Sequence, residues 1–262
     1  MQPMLNIAIR AARRAGDFIV RKINKLPDLR VEVKARNDFV SEVDHGAEAR
    51  IIDELLKAYP DHGIVAEESG VIDGQKEYRW IIDPLDGTTN FLHGFPHYAV
   101  SIACEHQGRL THGVVYDPFK QELFSASRGD GATLNNRRIR VSPNKSLDSA
   151  LLATGFPFRN PEQLDQFLKL FQQLFTSARD IRRAGAAALD LAYVAAGRLD
   201  GYWEAGLQAW DLAAGALIVR EAGGLATDYA GDEHFLENGQ IVAGNPRITA
   251  EMLHIIKSQL NS

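Results

Sequence analysis

Asp83 and Asp86 stand three residues apart in the run Trp80-Ile81-Ile82-Asp83-Pro84-Leu85-Asp86-Gly87-Thr88-Thr89-Asn90. Two carboxylates at this spacing suit a hard cation such as Mg²⁺, which takes oxygen ligands and keeps several waters. Thr88-Thr89-Asn90 reads as a helix start, with hydroxyls and fresh backbone N–H groups pointing back at the acids. Such a start suits a phosphate. A divalent cation beside a phosphate is the arrangement of metal-assisted phosphate chemistry. Pro84 and Gly87 predict a turn between and after the two acids. Asp-Pro and Asp-Gly are also ordinary turn formers, so the run alone leaves both readings open.

Three further acidic groups bear on the choice. Ile64-Val65-Ala66-Glu67-Glu68-Ser69-Gly70 ends a short apolar strand in paired acids, and the extended chain turns Glu68 away from the face of Glu67. Asn37 to Asp44 holds Asp38, Glu42 and Asp44. Tyr202 to Gly215 ends a strand at Glu204, crosses a loop and puts Asp211 at the start of a strongly apolar helix, where it reads equally well as an N-cap. Four acidic clusters at element ends exceed what turn chemistry usually supplies.

The elements that must position these groups alternate. Met4, Ala8, Ala11, Ala12, Ala15, Phe18, Ile19 and Ile23 recur at helical spacing and predict a helix over about residues 3–25. A second helix is predicted from Ala47 to Tyr59, ended by Pro60. Strands are predicted at Gly63-Ala66, Tyr78-Ile82, Ala99-Glu105, Thr111-Tyr116, Leu123-Ser127 and Leu151-Thr154. Helices return at Pro161-Thr176, Ala187-Gly197, Asp211-Ala222 and Ile248-Leu260. Interleaved helices and strands imply a layered α/β fold. No linker or internal repeat divides the chain, so one domain over residues 1–262 is expected.

Composition narrows the function classes. Hydrophobic residues make up 45% of the chain, enough for a real core. The net charge of −5, from 29 basic and 34 acidic residues, argues against a nucleic-acid binder acting through bulk charge. The one cysteine, Cys104, sits in an apolar run, cannot form an internal disulfide and reads as core, which fits a reducing cytoplasm. No stretch approaches the ~18 apolar residues of a membrane span. His93 and His97 have the spacing of a zinc pair, but Gly94 and Pro96 deny them a regular helix. His106 and His112 flank a strand turn and read as solvated. Arg137-Arg138-Ile139-Arg140 and Arg179 with Arg182-Arg183 read as exposed faces.

The run Asp83 to Asn90, the group Glu67-Glu68-Ser69, and Trp210-Asp211 with Glu221-Ala222-Gly223-Gly224 downstream resemble the inositol monophosphatase family of Mg²⁺-dependent phosphatases. The resemblance runs in order from about Asp38 to Asn245. The opening Met1 to Ala8 and the stretch Ala187 to Arg198 are most similar to a bacterial branch that also acts as a ribosomal-RNA transcription antitermination factor. The resemblance implies a layered αβαβα sandwich, of the inositol monophosphatase and fructose-1,6-bisphosphatase type, with the acidic site between its halves. It assigns Glu67, Asp83 and the Leu85 carbonyl to one Mg²⁺ ion, and Asp83, Asp86 and Asp211 to a second, with Glu68 behind them. Asp44 and Thr88 would activate the attacking water, alongside Glu67. The amides of Gly87, Thr88 and Thr89 would hold phosphate. Gly185, Ala187 and Glu204 would line the polyol pocket. The chain departs from the family in carrying Ala186 where relatives often have Thr or Ser, Ser41 for Thr, and Ala66 for Gly. Lys34 and Arg36 are alternative basic residues near the site.

The activity implied is hydrolysis of myo-inositol monophosphate or a similar small polyol phosphate, with Li⁺ inhibition and a homodimer. Histidinol phosphate, fructose bisphosphate or a nucleotide 3′-phosphate are alternative substrates. A different class of role is a partner of RNA polymerase and Nus factors in which catalysis is incidental.

Overall fold

The computed structural model describes residues 2–23, 26, 31–35, 38–74, 77–158 and 160–260. The choice between Lys34 and Arg36 falls outside what it describes.

Helix α1 (Pro3–Lys22) buries Ala8, Ala11, Ala12, Ala15 and Ile19 along one stripe. These small side chains let it lie close against α2 (Glu42–Ala58). Arg10 and Arg14 of α1 both reach Glu54, buried on α2. The pair covers one face of a sheet built from β3 (Gly63–Ala66), β4 (Gly70–Ile72), β5 (Tyr78–Asp86), β6 (Ala99–His106), β7 (Arg109–Asp117), β8 (Glu122–Ser127), β9 (Gly131–Leu134) and β10 (Arg137–Arg138). Among the described residues its order is β10-β9-β8-β7-β6-β5-β3-β4, with β3 parallel to β5 and the other neighbours antiparallel. The period-two alternation of strands is plain in β5 and β6. Trp80, Ile82, Ile102 and Cys104 face α1 and α2, whereas Ile81, Ala99 and Ala103 face the middle of the molecule.

That middle layer is α5 (Ala187–Ala195) and α6 (Ala209–Glu221). Helix α6 is buried without a break from Asp211 to Val219 because it is pressed between two sheets. The second sheet has the order β12-β11-β13-β15-β14, formed by β11 (Leu151–Thr154), β12 (Asp180–Arg182), β13 (Gly201–Glu204), β14 (Leu225–Thr227) and β15 (Ile241–Gly244). Its far face is closed by α4 (Leu164–Ser177) and α8 (Pro246–Leu260), whose Leu170, Leu174, Ile248 and Met252 cluster with Leu152, Trp203 and Val242 of the sheet. The layers are thus helix, sheet, helix, sheet, helix. A hairpin of β1 (Val31–Ala35) and β2 (Asp38–Ser41) leads into α2. Two short helices, α3 (Thr88–Leu92) and α7 (Phe235–Asn238), complete the description. Among the described residues no helix is long and apolar enough to cross a membrane.

Several sequence expectations need correcting. Helix α2 begins at Glu42, five positions before Ala47, because Ser41 and Asp44 close a capping box around its first turn. Strand β5 does not stop at Ile82. It continues through Pro84 to Asp86, and the pairing with β6 shifts register between Asp83 and Asp86. Proline has no N–H to give the ladder, so the strand bulges there instead of turning. Residues 67–69 form a turn, so Glu68 is set apart from Glu67 by that turn and not by strand alternation. His112 is not solvated but buried, with Nδ1 2.8 Å from the Ser127 hydroxyl, whereas His106 stays partly exposed and stacks on Tyr78 at 3.9 Å between ring centroids. Cys104 is fully buried, and burial pushes its thiol up to about 12, which suits a core residue.

Candidate metal and phosphate site

The end of β5, the start of α3 and the start of α6 meet in one cleft of about 400 Å³. Asp83, Asp86 and Asp211 are all buried, and each offers a carboxylate oxygen within 4.8 Å of the others. The bulge in β5 is what makes this possible: it brings Asp83 and Asp86 to the same site although they are three apart on a strand. Asp83 Oδ1 accepts from the Leu85 amide at 2.9 Å. Asp86 Oδ2 accepts from the Ala188 amide at 2.7 Å, which ties β5 to the first turn of α5. Asp211 is the third residue of α6 and not its N-cap; its Oδ2 accepts from the Gln208 amide at 2.7 Å. Glu67 lines the same cleft.

Burial raises the Asp83 carboxyl well above the usual range, and the charges of Glu67, Asp86 and Asp211 raise it further. Asp86 is raised well above it too, by burial first and by Asp211 next, against the Ala188 bond. Among the described residues, the cleft is lined by five carboxylates, from Glu67, Asp83, Asp86, Glu204 and Asp211, and by one cationic side chain, Arg183. Buried carboxylates in such excess need cations to stay ionised. The donors are all carboxylate oxygens, which suits Mg²⁺ and does not suit soft metals. The residues therefore fit the metal that the family resemblance implies.

Gly87 joins β5 to α3 with φ +91°, a backbone that L side chains rarely adopt, and a Cβ there would lie 2.9 Å from the His97 carbonyl oxygen. Thr88, Thr89 and the backbone of Gly87 line the cleft beside the acids. The Thr88 hydroxyl lies 2.8 Å from Asp44 Oδ1, to which it donates, and 3.1 Å from the Leu85 carbonyl oxygen. Asp44 is fully buried at the start of α2, and its Oδ2 accepts from the Ser41 amide at 2.8 Å and the Ser41 hydroxyl at 2.6 Å. Ser41 thus gives Asp44 both an amide and a hydroxyl donor. Burial raises Asp44 above the usual carboxylate range, and the bonds from Ser41 and Thr88 hold it back down.

On the far wall, Gly185, Ala186 and Ala187 lead into α5, and Glu204 ends β13. The Tyr202 hydroxyl donates to Glu204 Oε2. The structure thus brings Asp44, Glu67, Asp83, Leu85, Asp86, Gly87, Thr88, Thr89, Gly185, Ala187, Glu204 and Asp211 to one region, all but Asp44 lining the cleft itself.

Three residues have parts that sequence reasoning did not assign. Asn90 Nδ2 donates to the carbonyls of His97, Ala184 and Gly185 at 2.7, 2.9 and 3.2 Å, pinning the α3 turn to the loop before α5. Asp190 is buried one turn into α5; burial raises its carboxyl well above the usual range, Glu204 adds to this, and Arg183 opposes it. Arg183, read as part of an exposed basic face, is exposed and also lines the cleft, with its guanidinium 5.2 and 5.1 Å from the rings of Phe156 and Phe158. No local signal marks the Ala184 and Gly185 partners of Asn90, which lie 94 and 95 residues away. Arg179 and Arg137, Arg138 and Arg140 are exposed. His97 is buried next to Asp190, 3.9 Å from Nε2 to Oδ1, and burial lowers it to about 4, so it is neutral at pH 7. Among the described residues, the three-aspartate set is the one group of three or more such side chains placed to hold a metal.

The inositol monophosphatase family matches residues 1–261. The chain is 58% identical to the "Nus factor SuhB" of Pseudomonas aeruginosa over 99% of this chain and 98% of that protein. The crystal structure of the extragenic suppressor protein suhB from Bartonella henselae superimposes with a TM-score of 0.95 at 46% identity, over 98% of this chain and 99% of that one. The inositol monophosphatase of Anabaena superimposes with a TM-score of 0.87 at 40% identity, over 97% and 95%.

Proposed function

The chain belongs to the inositol monophosphatase family, and from that premise we propose that it is a cytoplasmic Mg²⁺-dependent phosphomonoesterase acting as one domain over residues 1–262. The observation that carries the reading is the cleft whose described lining has five carboxylates and one arginine, set against Gly87, Thr88 and Thr89. A phosphate dianion enters such a cleft only when divalent cations neutralise it. Asp83, Asp86, Asp211 and Glu67, with the Leu85 carbonyl, would hold them. Bound there, Mg²⁺ lowers the pKa of water and neutralises charge on the phosphoryl group and the departing alkoxide.

The chain's own residues supply the rest. The Thr88 hydroxyl gives its proton to Asp44, so its oxygen lone pairs are free to accept from the attacking water. As the water oxygen bonds to phosphorus, its proton passes toward Thr88 and Asp44, and the ester P–O bond breaks on the opposite side. No phosphoenzyme forms. The Gly87, Thr88 and Thr89 amides hold the phosphate oxygens, and Glu204 accepts hydrogen bonds from hydroxyls of the leaving polyol. Ala186 offers no hydroxyl at a position where relatives often have one, which loosens the grip on any single cyclitol. The substrate is accordingly myo-inositol monophosphate or a similar small polyol phosphate. A phosphate-release screen over myo-inositol 1-phosphate, histidinol phosphate, fructose 1,6-bisphosphate and a nucleotide 3′-phosphate, with and without Mg²⁺, tests this. Release from none of them in Mg²⁺ would overturn it.

A second role is favoured by the relatives named Nus factor SuhB, at 58% identity in Pseudomonas aeruginosa. The chain, as a homodimer when free, joins an RNA polymerase and Nus-factor antitermination complex. Its net charge of −5 fits a protein partner better than the RNA backbone. The metal ligands lie inside a cleft and a partner of that size reads an outer face. Asp86→Asn should therefore abolish phosphate release and keep pull-down with RNA polymerase and Nus factors. Loss of both, with the fold intact by circular dichroism, would contradict the separation.

A further inference from the structure

A second cleft, of about 320 Å³, adjoins the acidic one. Both are lined by Asn160 and by Ala205, Gly206 and Leu207, the segment that directly follows Glu204. Its chemistry is unlike that of the first. Asn160, Gln163, Gln166, Gln208, Asn238 and Gln240 line it, and among the described residues that line it Glu237 is the one charged group, with no lysine, arginine or histidine. The saddle between the clefts is kept low by Gly206. Its φ of +82° is hard for any other residue, and a Cβ there would lie 2.8 Å from Asn160 Nδ2. The floor is held in place by the Leu207 amide, which donates to the Gly239 carbonyl at 3.1 Å. Asn238 is anchored by its own bond to Asp228 Oδ2 at 3.0 Å, so its position does not depend on a ligand.

We propose that this carboxamide-lined cleft is an extension of the leaving-group pocket, which binds an uncharged, hydrogen-bonding unit attached to the phosphorylated alcohol. A carboxamide both donates and accepts, and can match sugar hydroxyls or the edge of a nucleobase. A leaving alcohol held at Glu204 has its next unit over Gly206 and among these amides. A distal phosphate would meet Glu237, and no described residue lining the cleft offers a cation to balance it, so the cleft selects against bisphosphates. The inference rests on the phosphomonoesterase reading only for its orientation, with phosphate in the first cleft.

Binding and turnover of four esters separate the outcomes. Glycerol 2-phosphate has no extension; sucrose 6-phosphate carries a glycosyl unit, adenosine 3′-monophosphate a nucleobase, and adenosine 3′,5′-bisphosphate a distal phosphate. Affinity is measured by calorimetry with Ca²⁺ present, and phosphate release with Mg²⁺. The wild type should bind sucrose 6-phosphate or adenosine 3′-monophosphate more tightly than glycerol 2-phosphate, and whichever gains identifies the unit as sugar or base. The bisphosphate should lose that gain. Gln166→Leu and Gln240→Leu should each cut the ratio of extended to short affinity roughly tenfold, the effect of leaving one polar partner unmatched. Glycerol 2-phosphate binding in the same variants reports whether the first cleft survives. Equal affinity for short and extended esters in the wild type, or an extended-ester advantage that both variants retain, would overturn the subsite. An extended-ester advantage in binding without phosphate release from any ester would instead overturn the phosphomonoesterase reading and leave the subsite standing.

Discussion

Replacing Thr88 by valine keeps the side-chain volume and removes one hydroxyl. That hydroxyl joins the fully buried Asp44 carboxylate, at 2.8 Å, to the Leu85 carbonyl oxygen, at 3.1 Å, and it is the group assigned to hold the attacking water. Three effects follow. Proton acceptance of this kind contributes about 10²–10⁴-fold, so kcat should fall by that factor while the Mg²⁺ concentration for half-maximal activity stays nearly fixed. A hydrogen bond to a buried charged group is lost, about 1.5–3 kcal/mol, which for a chain of this size lowers Tm by roughly 2–4 °C per kcal/mol. The third effect is on pH. Burial raises Asp44, and the Thr88 bond is one of those that hold it down. Asp44 must be ionised to take a proton, so activity falls on the acid side as pH drops through its pKa. Without the Thr88 bond that pKa rises, and the acid limb of kcat/KM should move to higher pH. Thr88→Ser keeps the hydroxyl and should behave nearly as wild type. Steady-state kinetics across pH and Mg²⁺ concentration, beside thermal unfolding, reads all three. Unchanged kcat in Thr88→Val, or a loss that high Mg²⁺ restores, would refute the assignment to water activation.

Asp83→Asn should be inactive at any Mg²⁺ concentration because its carboxylate serves both ion positions, whereas Asp211→Asn should regain much of its activity at high Mg²⁺; equal and unrescuable losses in a Mg²⁺ titration would contradict the division of roles. Metal-free protein should be more stable at low pH: the raised carboxyls of Asp83 and Asp86 favour the folded state fully below their ordinary pKa of 3.8 and lose that contribution as pH rises through their folded values. Tm in a chelator should thus fall as pH rises above this range, and the gain on adding Mg²⁺ should be largest at the high end; a flat or opposite trend by calorimetry would sink the argument. Li⁺ at millimolar concentration should inhibit phosphate release, because it can occupy the position near Asp86 and Asp211 with half the charge; full activity in Li⁺ would mean that position is built differently.

Much of this arrangement was legible in the chain because it is local. Gly63–Ala66 and Leu151–Thr154 are strands within the bounds that apolar runs and flanking turns predict. The start of α2 was misplaced although Ser41 and Asp44 carry a capping-box signature; Gly46 and the mixed polarity of Glu42 to His45 obscured the apolar stripe. Strand β5 was cut short because Pro84 usually ends a strand, and only pairing with β6 shows that it bulges instead. The acids could be recognised one by one, but their convergence depends on long-range ties, such as Asp86 to Ala188 and Asn90 to Ala184, that no local pattern encodes. Arg183 reads as surface charge and is exposed; that it also lines the cleft is hidden for the same reason, since the rings beside it, Phe156 and Phe158, lie far back in the chain. His112 looked solvated until β8 placed Ser127 opposite it.

The central claim is that the buried set of Asp83, Asp86 and Asp211 works through bound divalent cations to hydrolyse a phosphomonoester. Its most direct test is phosphate release from myo-inositol 1-phosphate by protein first stripped with a chelator and then titrated with Mg²⁺. The account predicts no release from the stripped protein and saturable recovery as Mg²⁺ returns, with no recovery in Asp83→Asn. Release that persists in the chelator, or that survives in Asp83→Asn, would contradict it.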